Sequence, residues 1–309
     1  MTLAIDVQGL NKCFGDKHVV KDVAIQVEEG HICGFLGPNG SGKTTTLRML
    51  CGLLTPDTGS GRVLGLDFPS QAAAIKRQTG YMTQKFSLYE DLTIEENLRF
   101  VARVYGLDRR AERIEETLEK LGLRHRRRQL AGQLSGGWKQ RLALAASIMH
   151  EPRLLLLDEP TAGVDPQARR DFWDEIHALA DGGITVLVST HYMDEAERCH
   201  EIVYIFNGVL IARGTGDEVI AESGLVTFEA EGPRADRLAR ELAGARGVEM
   251  VAPFGQSLHV SGTDRIALEA AIAPFRRDPW QWKQVEPSLE DVFIRLMRRG
   301  ADGQAGAGR

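Results

Sequence analysis

The sequence predicts an α/β fold, and three observations lead to that prediction. Continuous apolar runs at Ile32–Leu36, Leu154–Leu157 and Ile184–Val188 are typical of strands that are buried on both faces of a parallel sheet. Residues with helical spacing alternate with these runs, as at Thr44–Leu54 and Gln167–Ala180. A glycine-rich loop joins the first apolar run to the first helical segment. Alternation of this kind indicates layers of helices packed on a parallel sheet.

The composition restricts the class of protein. A length of 309 residues suggests about two domains, and 43% hydrophobic with 26% charged residues is ordinary for a folded chain. The net charge of −5 argues against a protein that coats nucleic acid, so we expect no nucleic-acid partner. No apolar stretch approaches the roughly 18 residues of a membrane span, and Met1–Leu10 lacks a signal pattern. The four cysteines show no CxxC spacing, which favours reduced thiols in the cytosol.

A helical insertion interrupts the α/β pattern between about residues 92 and 150. Helical spacing covers Glu95–Tyr105, Asp108–Leu121 and Gly137–His150, with few strand signals between them. Glutamates and basic residues mix along the second of these segments, which is typical of a solvated helix face. We therefore predict a helical subdomain within a first domain that spans residues 1–223.

The pattern restarts after a break near residues 222–224, which predicts a small α+β domain over residues 224–299. A Gly- and Ala-rich tail over residues 300–309 is predicted to be disordered. The predicted strands of this domain are Val226–Glu229, Val248–Pro253 and Ser257–Ser261, and the predicted helices are Ala235–Ala243, Asp264–Phe275 and Ser288–Arg298.

A phosphate-binding loop is predicted between the first strand and the first helix. The pattern G-x-x-x-x-G-K-[ST] is matched without a gap by Gly37, Pro38, Asn39, Gly40, Ser41, Gly42, Lys43 and Thr44. Glycines let the backbone direct several N–H groups at one anion, and the helix N-terminus that continues through Thr45 adds positive potential. Lys43 can reach the β- and γ-phosphates of ATP, and the Thr44 hydroxyl can ligate Mg²⁺. The alternative is a glycine-rich turn with an incidental lysine, which the flanking strand and helix disfavour.

Two carboxylates end the apolar strand Leu154–Leu157. Ligands of open parallel sheets lie at the carboxyl ends of the strands, where Asp158 and Glu159 are expected to emerge beside the phosphate loop. Asp158 is suited to hold Mg²⁺, directly or through water, and Glu159 to activate a water molecule as general base. The alternative is a strand that ends in solvated acids, which is common for an isolated pair of this kind.

A short motif before the acidic strand makes the resemblance specific. The residues Leu134, Ser135, Gly136 and Gly137 resemble the signature motif of ATP-binding cassette (ABC) transporters, where other P-loop NTPases have no counterpart. A serine N-cap followed by glycines at a helix start is the alternative, and it also presents N–H groups to a phosphate. The resemblance implies a P-loop NTPase core of the ABC ATPase type. It also implies a head-to-tail dimer in which Ser135–Gly137 of one subunit completes the ATP site of the other.

Further positions match the same family. The resemblance implies that Gln84 contacts Mg²⁺ and the attacking water, that Asp165 lies in a loop reaching the second subunit, and that His191 contacts the γ-phosphate. Phe14 occupies the position of an aromatic residue that stacks on adenine, with a core aromatic as the alternative. Trp138 departs from the glutamine that is usual after the signature glycines, and we expect activity to survive this departure because the backbone donors do not depend on that side chain.

Two segments resemble the branch that pairs with six-helix permeases of ABC-2 type exporters, which includes drug-resistance exporters. These are Phe86–Thr93 and Pro287–Phe293. The resemblance implies an ATP- and Mg²⁺-dependent ATPase at the cytoplasmic face of the cell membrane, peripheral through its permease and paired with an identical or related subunit. The basic run Arg124–Arg128 is expected to be a solvated face, with contact to a membrane or an acidic loop as the alternative. A soluble ABC ATPase that acts on ribosomes or nucleic acid is the alternative function, disfavoured by the single phosphate loop.

Overall fold

Contacts divide the chain into two units, Met1–Ala212 and Arg213–Arg309. The computed structural model describes residues 2–254 and 257–306, without the side chains of residue 254 and of residues 298–306. In chain order, the strands of the first unit and its boundary are β1 Leu3–Phe14, β2 Lys17–Glu28, β3 Ile32–Leu36, β4 Thr58–Val63, β5 Leu66–Phe68, β6 Thr79–Met82, β7 Leu154–Asp158, β8 Thr185–Thr190, β9 Glu201–Phe206 and β10 Val209–Gly214.

These strands form two sheets. A four-stranded antiparallel sheet has the order β2-β1-β4-β5, and a six-stranded sheet has the order β10-β9-β3-β8-β7-β6. Within the larger sheet, β9, β3, β8, β7 and β6 are parallel. The helices of this unit are α1 Lys43–Leu50, α2 Ala72–Arg77, α3 Ile94–Val104, α4 Arg110–Lys120, α5 Gly136–Ile148, α6 Pro166–Asp181 and α7 Met193–Ala196, with 3₁₀ turns at Arg124–Arg126 and Ala131–Gln133.

Strand β7 explains why the parallel sheet is buried on both faces. Leu155 and Leu157 join a hydrophobic core with the helices, whereas Leu154 and Leu156 join a second core with the antiparallel sheet. All four side chains have no exposed surface, and each such burial stabilises the fold by about 1.5–3 kcal/mol. The strand therefore cannot shift by one residue without exchanging its two faces. Its carboxyl end is held at a defined position in the sheet.

Side-chain caps define the starts of two helices in the first unit, α3 and α6. Thr93 and Glu96 form a capping box at the start of α3, and Asp165 caps α6 by accepting from the N–H groups of Gln167 and Ala168. Pro166 occupies the first turn of α6, where its missing N–H costs nothing. Helices α3, α4 and α5 occupy the segment that the sequence analysis assigns to the helical subdomain.

The second unit has its own sheet and core. Its elements are α8 Gly216–Ser223, β11 Val226–Glu231, α9 Ala235–Leu242, β12 Met250–Phe254, β13 Ser257–Gly262, α10 Arg265–Ile272, a 3₁₀ turn at Ala273–Phe275, β14 Gln281–Val285 and α11 Leu289–Gly306. The strands form an antiparallel sheet in the order β12-β13-β11-β14. One face of this sheet packs its apolar side chains with those of α9 and α10. Buried polar side chains of β13 alternate with these apolar residues, and His259 contacts Asp291 of α11.

Two expectations about this unit need correction, and one of its strands was not predicted. The boundary lies at Ala212/Arg213 rather than at 223/224, because α8 packs with the last helix and the Ser223 carbonyl accepts from Arg295. Residues 300–309 were predicted to be disordered, but α11 continues to Gly306. Residues 307–309 lie outside the described residues. Strand β14 was not predicted, since its residues are half-buried or exposed and lack a continuous apolar run.

No helix in the described parts of the chain is both long and apolar enough to cross a membrane. The four cysteines are free thiols, as the sequence analysis expects.

Candidate functional site

The phosphate loop follows β3 and leads into α1. Gly37 has a φ of 153°, and a Cβ there would lie 2.2 Å from the carbonyl oxygen of Ile205, so only glycine fits. The first N–H groups of α1 have no partner within the helix and are available to an anion. Lys43 is 4% exposed, and its Nζ donates to the carbonyls of Gly37 and Pro38 at 2.7 and 3.1 Å. The Ser41 hydroxyl is buried without a hydrogen-bond partner among the described residues, which fits a loop that wraps a ligand.

Asp158 lies at the end of β7 with 2% of its surface exposed. Its Oδ1 accepts from the hydroxyls of Thr44 and Ser189, each at 2.9 Å, and its Oδ2 accepts from Tyr81 at 3.4 Å. Burial raises the pKa of Tyr81 to about 12, so this phenol remains a donor. The arrangement joins the phosphate loop, β7 and β8 through one carboxylate.

Glu159 is the point at which the four predicted catalytic side chains meet. Its carboxylate accepts from Gln84 Nε2 at 2.9 Å, and its oxygens lie 3.2 Å from Lys43 Nζ and 3.5 Å from His191 Nδ1. The backbone of Glu159 has a φ of 46°, which is uncommon for a residue other than glycine. Its N–H donates to the hydroxyl and the carbonyl of Ser189 at 3.0 and 3.1 Å. The adjacent strand thus holds Glu159 in a conformation that directs its carboxylate at the phosphate loop.

The charges in this cluster are buried and paired. Burial lowers the pKa of Lys43, while the negative charges of Glu159 and then Asp158 oppose that shift. A buried lysine with two carboxylates nearby is costly to assemble and is poorly explained as a stabilising feature alone. The cluster has the properties of a functional site.

The other predicted site residues lie elsewhere on the first unit. Phe14 ends β1 with 51% of its surface exposed, so the core alternative for this ring is wrong. Asp165 is the N-cap of α6. Ser135 is the N-cap of α5, but within the described chain its side chain makes no capping hydrogen bond, and Ser135 and Gly136 are exposed. A Cβ on Gly137 would lie 2.7 Å from that of Ala168, so glycine permits α5 and α6 to approach here.

The remaining residues of the predicted nucleotide site are local to the loop. Pro38, Asn39 and Gly40 form the turn between β3 and α1, and Gly42 precedes the helix with a φ of 109°. Thr45 lies in the first turn of α1.

The basic run and Trp138 have partners inside the first unit. Arg127 forms ion pairs with Glu95 and Glu115 at 2.9 and 2.6 Å. The guanidinium of Arg126 lies over the Trp138 ring, with 4.6 Å between its carbon and the ring centroid. Intramolecular pairing therefore accounts for part of the basic run. Arg128 is exposed.

Sequence reasoning missed Ser189 and Tyr81 as members of the site. Both belong to parallel strands beside β7, where Asp158 pairs with Ser189 in register. Their polar side chains near strand ends were a usable signal, because the carboxyl ends of neighbouring strands share one edge of the sheet.

The fold and this cluster define a phosphate-loop ATPase. Residues 20–162 match the ABC transporter family. The Nod factor export ATP-binding protein I of Burkholderia pseudomallei (strain K96243) is 38% identical over 304 residues, which cover 96% of this chain and 97% of that protein. The chain therefore belongs to the ABC transporter family and is similar to its ATP-binding subunits.

Further similarities are concentrated in part of the chain. The probable multidrug ABC transporter ATP-binding protein YbhF of Escherichia coli (strain K12) is 49% identical over 221 residues, or 71% of this chain. The match spans only 38% of the length of that relative. The solved structure of CbiO1 from Clostridium perfringens, part of the ABC transporter complex CbiONQ, has a TM-score of 0.66 and 26% identity over 72% of this chain and 92% of its own. A solved ATP-binding subunit of an ABC transporter has a TM-score of 0.63 and 31% identity, covering 71% of this chain and 94% of its own.

Proposed function

We propose that this chain is the ATP-hydrolysing subunit that powers an ABC-2 type membrane exporter. The observation that carries the exporter assignment is the end-to-end similarity to a Nod factor export ATP-binding protein. The E. coli relative, which is named as a probable multidrug ABC transporter ATP-binding protein, supports the proposed kind of cargo. The proposed cargo is a drug or another small amphipathic compound, and the proposed location is the cytoplasmic face of the membrane. None of the relatives named above is described as acting on ribosomes or nucleic acid.

The phosphate loop supplies the binding half of the reaction. We assign the N–H groups at the start of α1 and the Lys43 ammonium to the β- and γ-phosphates of ATP. The hydroxyl of Thr44 and the carboxylate of Asp158, 2.9 Å apart, are oxygen donors of the kind that Mg²⁺ prefers, and Gln84 offers a further amide oxygen. Bound Mg²⁺ would neutralise charge that develops on the phosphates.

The chemical step is assigned to Glu159 and its neighbours. Glu159 accepts a proton from the attacking water, and the amide of Gln84, now 2.9 Å from its carboxylate, orients that water. His191 and Lys43 donate to the γ-phosphate as its charge is redistributed. Both side chains lie within 3.5 Å of Glu159, and we assign both to the γ-phosphate of bound ATP.

The second half of each site is assigned to another subunit. The exposed Ser135 hydroxyl and the N–H groups of Gly136 and Gly137 form a donor set at the start of α5. We assign them to the γ-phosphate bound by the partner subunit. Asp165, which caps α6 close to this segment, lies in the loop proposed to cross to that subunit.

An exposed apolar patch on the helical subdomain is the proposed permease-binding surface. Tyr89, Phe100 and Val104 are 50%, 42% and 67% exposed. The rings of Tyr89 and Phe100 meet edge to face at 5.1 Å, and Val104 follows Phe100 by one helical turn. Contiguous exposed apolar surface is typical of protein interaction sites. The patch lies in the segment after Gln84, so movement of the permease can be coupled to the attacking water.

Co-purification tests the assignment. The chain is tagged and expressed in its native cell, membranes are extracted in mild detergent, and the bound proteins are identified by mass spectrometry. A six-helix membrane protein in stoichiometric amount is the expected result. Ribosomal proteins or nucleic acid without a membrane protein would overturn the exporter assignment while leaving the ATPase intact.

Matched variants make the same experiment specific for the patch. Phe100→Asp is expected to lose the membrane protein while retaining ATP binding. Ile266→Asp is the control, because Ile266 is 82% exposed but lies on α10 of the second unit. Equal recovery of the membrane protein with both variants would exclude the patch as the docking surface.

A further inference from the structure

A buried carboxylate outside the catalytic cluster contacts the segments that follow Glu159 and precede His191. Glu195 of α7 is 1% exposed. Its Oε1 accepts from the hydroxyl of Thr161 at 2.5 Å, and its Oε2 accepts from the hydroxyl of Thr190 at 2.6 Å. Thr161 lies two residues after Glu159, and Thr190 immediately precedes His191. One side chain therefore binds both backbone segments that carry these catalytic groups.

The surroundings of Glu195 extend this connection to α6. Arg169 Nε lies 3.6 Å from Glu195 Oε1, and the guanidinium of Arg169 stacks on the ring of Tyr192 at 4.3 Å. The Tyr192 ring in turn contacts the His191 ring, with 4.1 Å between their centroids, and the Tyr192 N–H donates to the Thr190 hydroxyl. A network centred on Glu195 thus positions both the backbone and the ring of His191.

His191 has few direct restraints of its own. Its Nδ1 is 3.5 Å from Glu159 and has no hydrogen-bond partner in the described parts of the chain. Its side chain is 33% exposed. The position of this ring therefore depends on the residues that flank it in sequence, and these are the residues that Glu195 and Arg169 hold.

We propose that Glu195 is a positioning residue for ATP hydrolysis. It holds His191 and the segment after Glu159 in fixed positions relative to each other. The inference rests on hydrolysis at the Lys43–Glu159 cluster. Glu195 touches neither the phosphates nor the attacking water in this assignment and acts through His191. Each carboxylate oxygen of Glu195 accepts one hydrogen bond from a hydroxyl, and Arg169 Nε, 3.6 Å away, adds an ion pair without a hydrogen bond. A buried polar network that is satisfied in this way restricts the arrangement of the residues that carry it.

Steady-state ATPase assays on the purified transporter complex provide the first test. Glu195→Ala is expected to lower kcat by roughly tenfold or more, since small misplacements of catalytic groups have effects of that size, while KM for ATP changes less than about twofold. Thr79→Val is the folding control, because it removes a buried hydroxyl that donates to the Ile75 carbonyl at the start of β6. Its kcat is expected to stay at the wild-type value. A Glu195→Ala variant with wild-type kcat would overturn the proposal.

A double-mutant cycle with His191 separates positioning from a general loss of stability. In a His191→Ala background, single-turnover assays are expected to show less than about a twofold further effect of Glu195→Ala. Additive losses would mean that Glu195 does not act through His191. Should Glu195→Ala fail to fold, Thr190→Val removes the hydroxyl that donates to Glu195 and accepts from the Tyr192 N–H, with little change in shape, and the same cycle applies to it. Absence of hydrolysis by the wild-type complex would instead count against the proposed function.

Discussion

The phosphate-loop cluster and the signature segment, Ser135–Gly137, belong to the same unit but differ in whether their polar groups have partners within the chain. Around Lys43, Asp158 and Glu159, buried polar groups bind one another from α1, β7, β8 and the segment after β6. In the segment Ser135–Gly137, Ser135 and Gly136 are exposed and Gly137 is half-buried. The Ser135 side chain makes no capping hydrogen bond within the described chain, in contrast to Thr93 of α3 and Asp165 of α6.

The difference shows how a charge and a donor set are maintained in one fold. A buried charge must be paired inside the chain, because leaving it unpaired costs several kcal/mol. Exposed N–H groups are hydrated, so leaving them without a protein partner costs little free energy and they remain available to a ligand bound by another molecule. The phosphate-loop cluster thus has its polar groups paired within the chain, whereas the signature segment is the part that we propose a second subunit uses.

We expect the largest effect on ATP hydrolysis from a substitution in the phosphate-loop cluster. Glu159→Gln keeps the size of the side chain and removes the base, so we expect ATP hydrolysis to fall by about 10²–10⁴-fold while ATP binding persists. Single-turnover hydrolysis and equilibrium nucleotide binding measure the two quantities. Hydrolysis at the wild-type rate would contradict the role of Glu159 and reduce its cluster to a structural feature.

A mixing experiment tests whether the two halves come from different chains. Lys43→Ala and Ser135→Arg are each expected to lower hydrolysis by about 10²-fold, since each removes one half of every site. An equal mixture forms mixed dimers in which one of two sites is intact, so roughly a quarter of wild-type activity should return. The mixture is assembled from separately purified, differently tagged subunits together with permease.

No recovery in that mixture, with mixed dimers verified by sequential tag purification, would mean that both halves act within one chain. The proposal that Ser135–Gly137 completes the ATP site of a second subunit would then be wrong.

A smaller effect is expected where the nucleotide base is bound. Phe14 has an exposed ring, and loss of base stacking in Phe14→Ala should raise KM for ATP by roughly fivefold to tenfold with little change in kcat. Phe14→Tyr is the control, because it keeps a ring face of the same size. An unchanged KM in Phe14→Ala would place the base away from β1.

The smallest expected effect concerns the ion pairs of the helical subdomain that carries the signature segment. The hydrogen bond from Arg127 lowers the pKa of Glu95, so this pair stabilises the fold above the unfolded carboxyl pKa, near 4.5, and the contribution is lost as the pH falls through the folded value. Arg127→Ala should therefore lower Tm by no more than about 3 °C at pH 7, with a smaller difference below pH 4.5.

Thermal unfolding scans across that pH range measure this contribution. Arg128→Ala removes the same charge from the same basic run and is expected to change Tm less. A Tm difference for Arg127→Ala that grows as the pH falls would contradict the assignment of the stabilisation to Glu95.

Much of the site could be predicted because its residues adjoin elements with strong local signals. The sequence predicted a strand at Ile32–Leu36, and the structure has the same bounds. The acidic pair follows a strand whose four leucines identify it without further context. Parallel strands bring their carboxyl ends to one edge, so the meeting of Lys43 with Glu159 follows from the pattern of the chain.

The contacts of Ser189, Tyr81 and Glu195 could not be predicted in the same way. The contacts of Ser189 and Tyr81 depend on which strands are neighbours and in what register they pair, as for Asp158 with Ser189. The contacts of Glu195 depend on where α7 lies relative to Thr161 and Thr190. A serine or a glutamate near a strand or helix end has no periodicity that distinguishes a buried acceptor or donor from a solvated one. The assignment of α8 to the second unit has the same origin, because it depends on packing against the distant α11.

The α/β class, the phosphate loop and the residues proposed for catalysis could be read from the sequence, because glycine conformations, apolar runs and ionisable side chains are local properties. Only the tertiary structure decided how those groups are held. The left-handed backbone of Glu159, the Ser189 bridge and the Glu195 network arise when separate segments are buried together. Burial requires each polar atom to have a partner, and here those partners are distant in sequence.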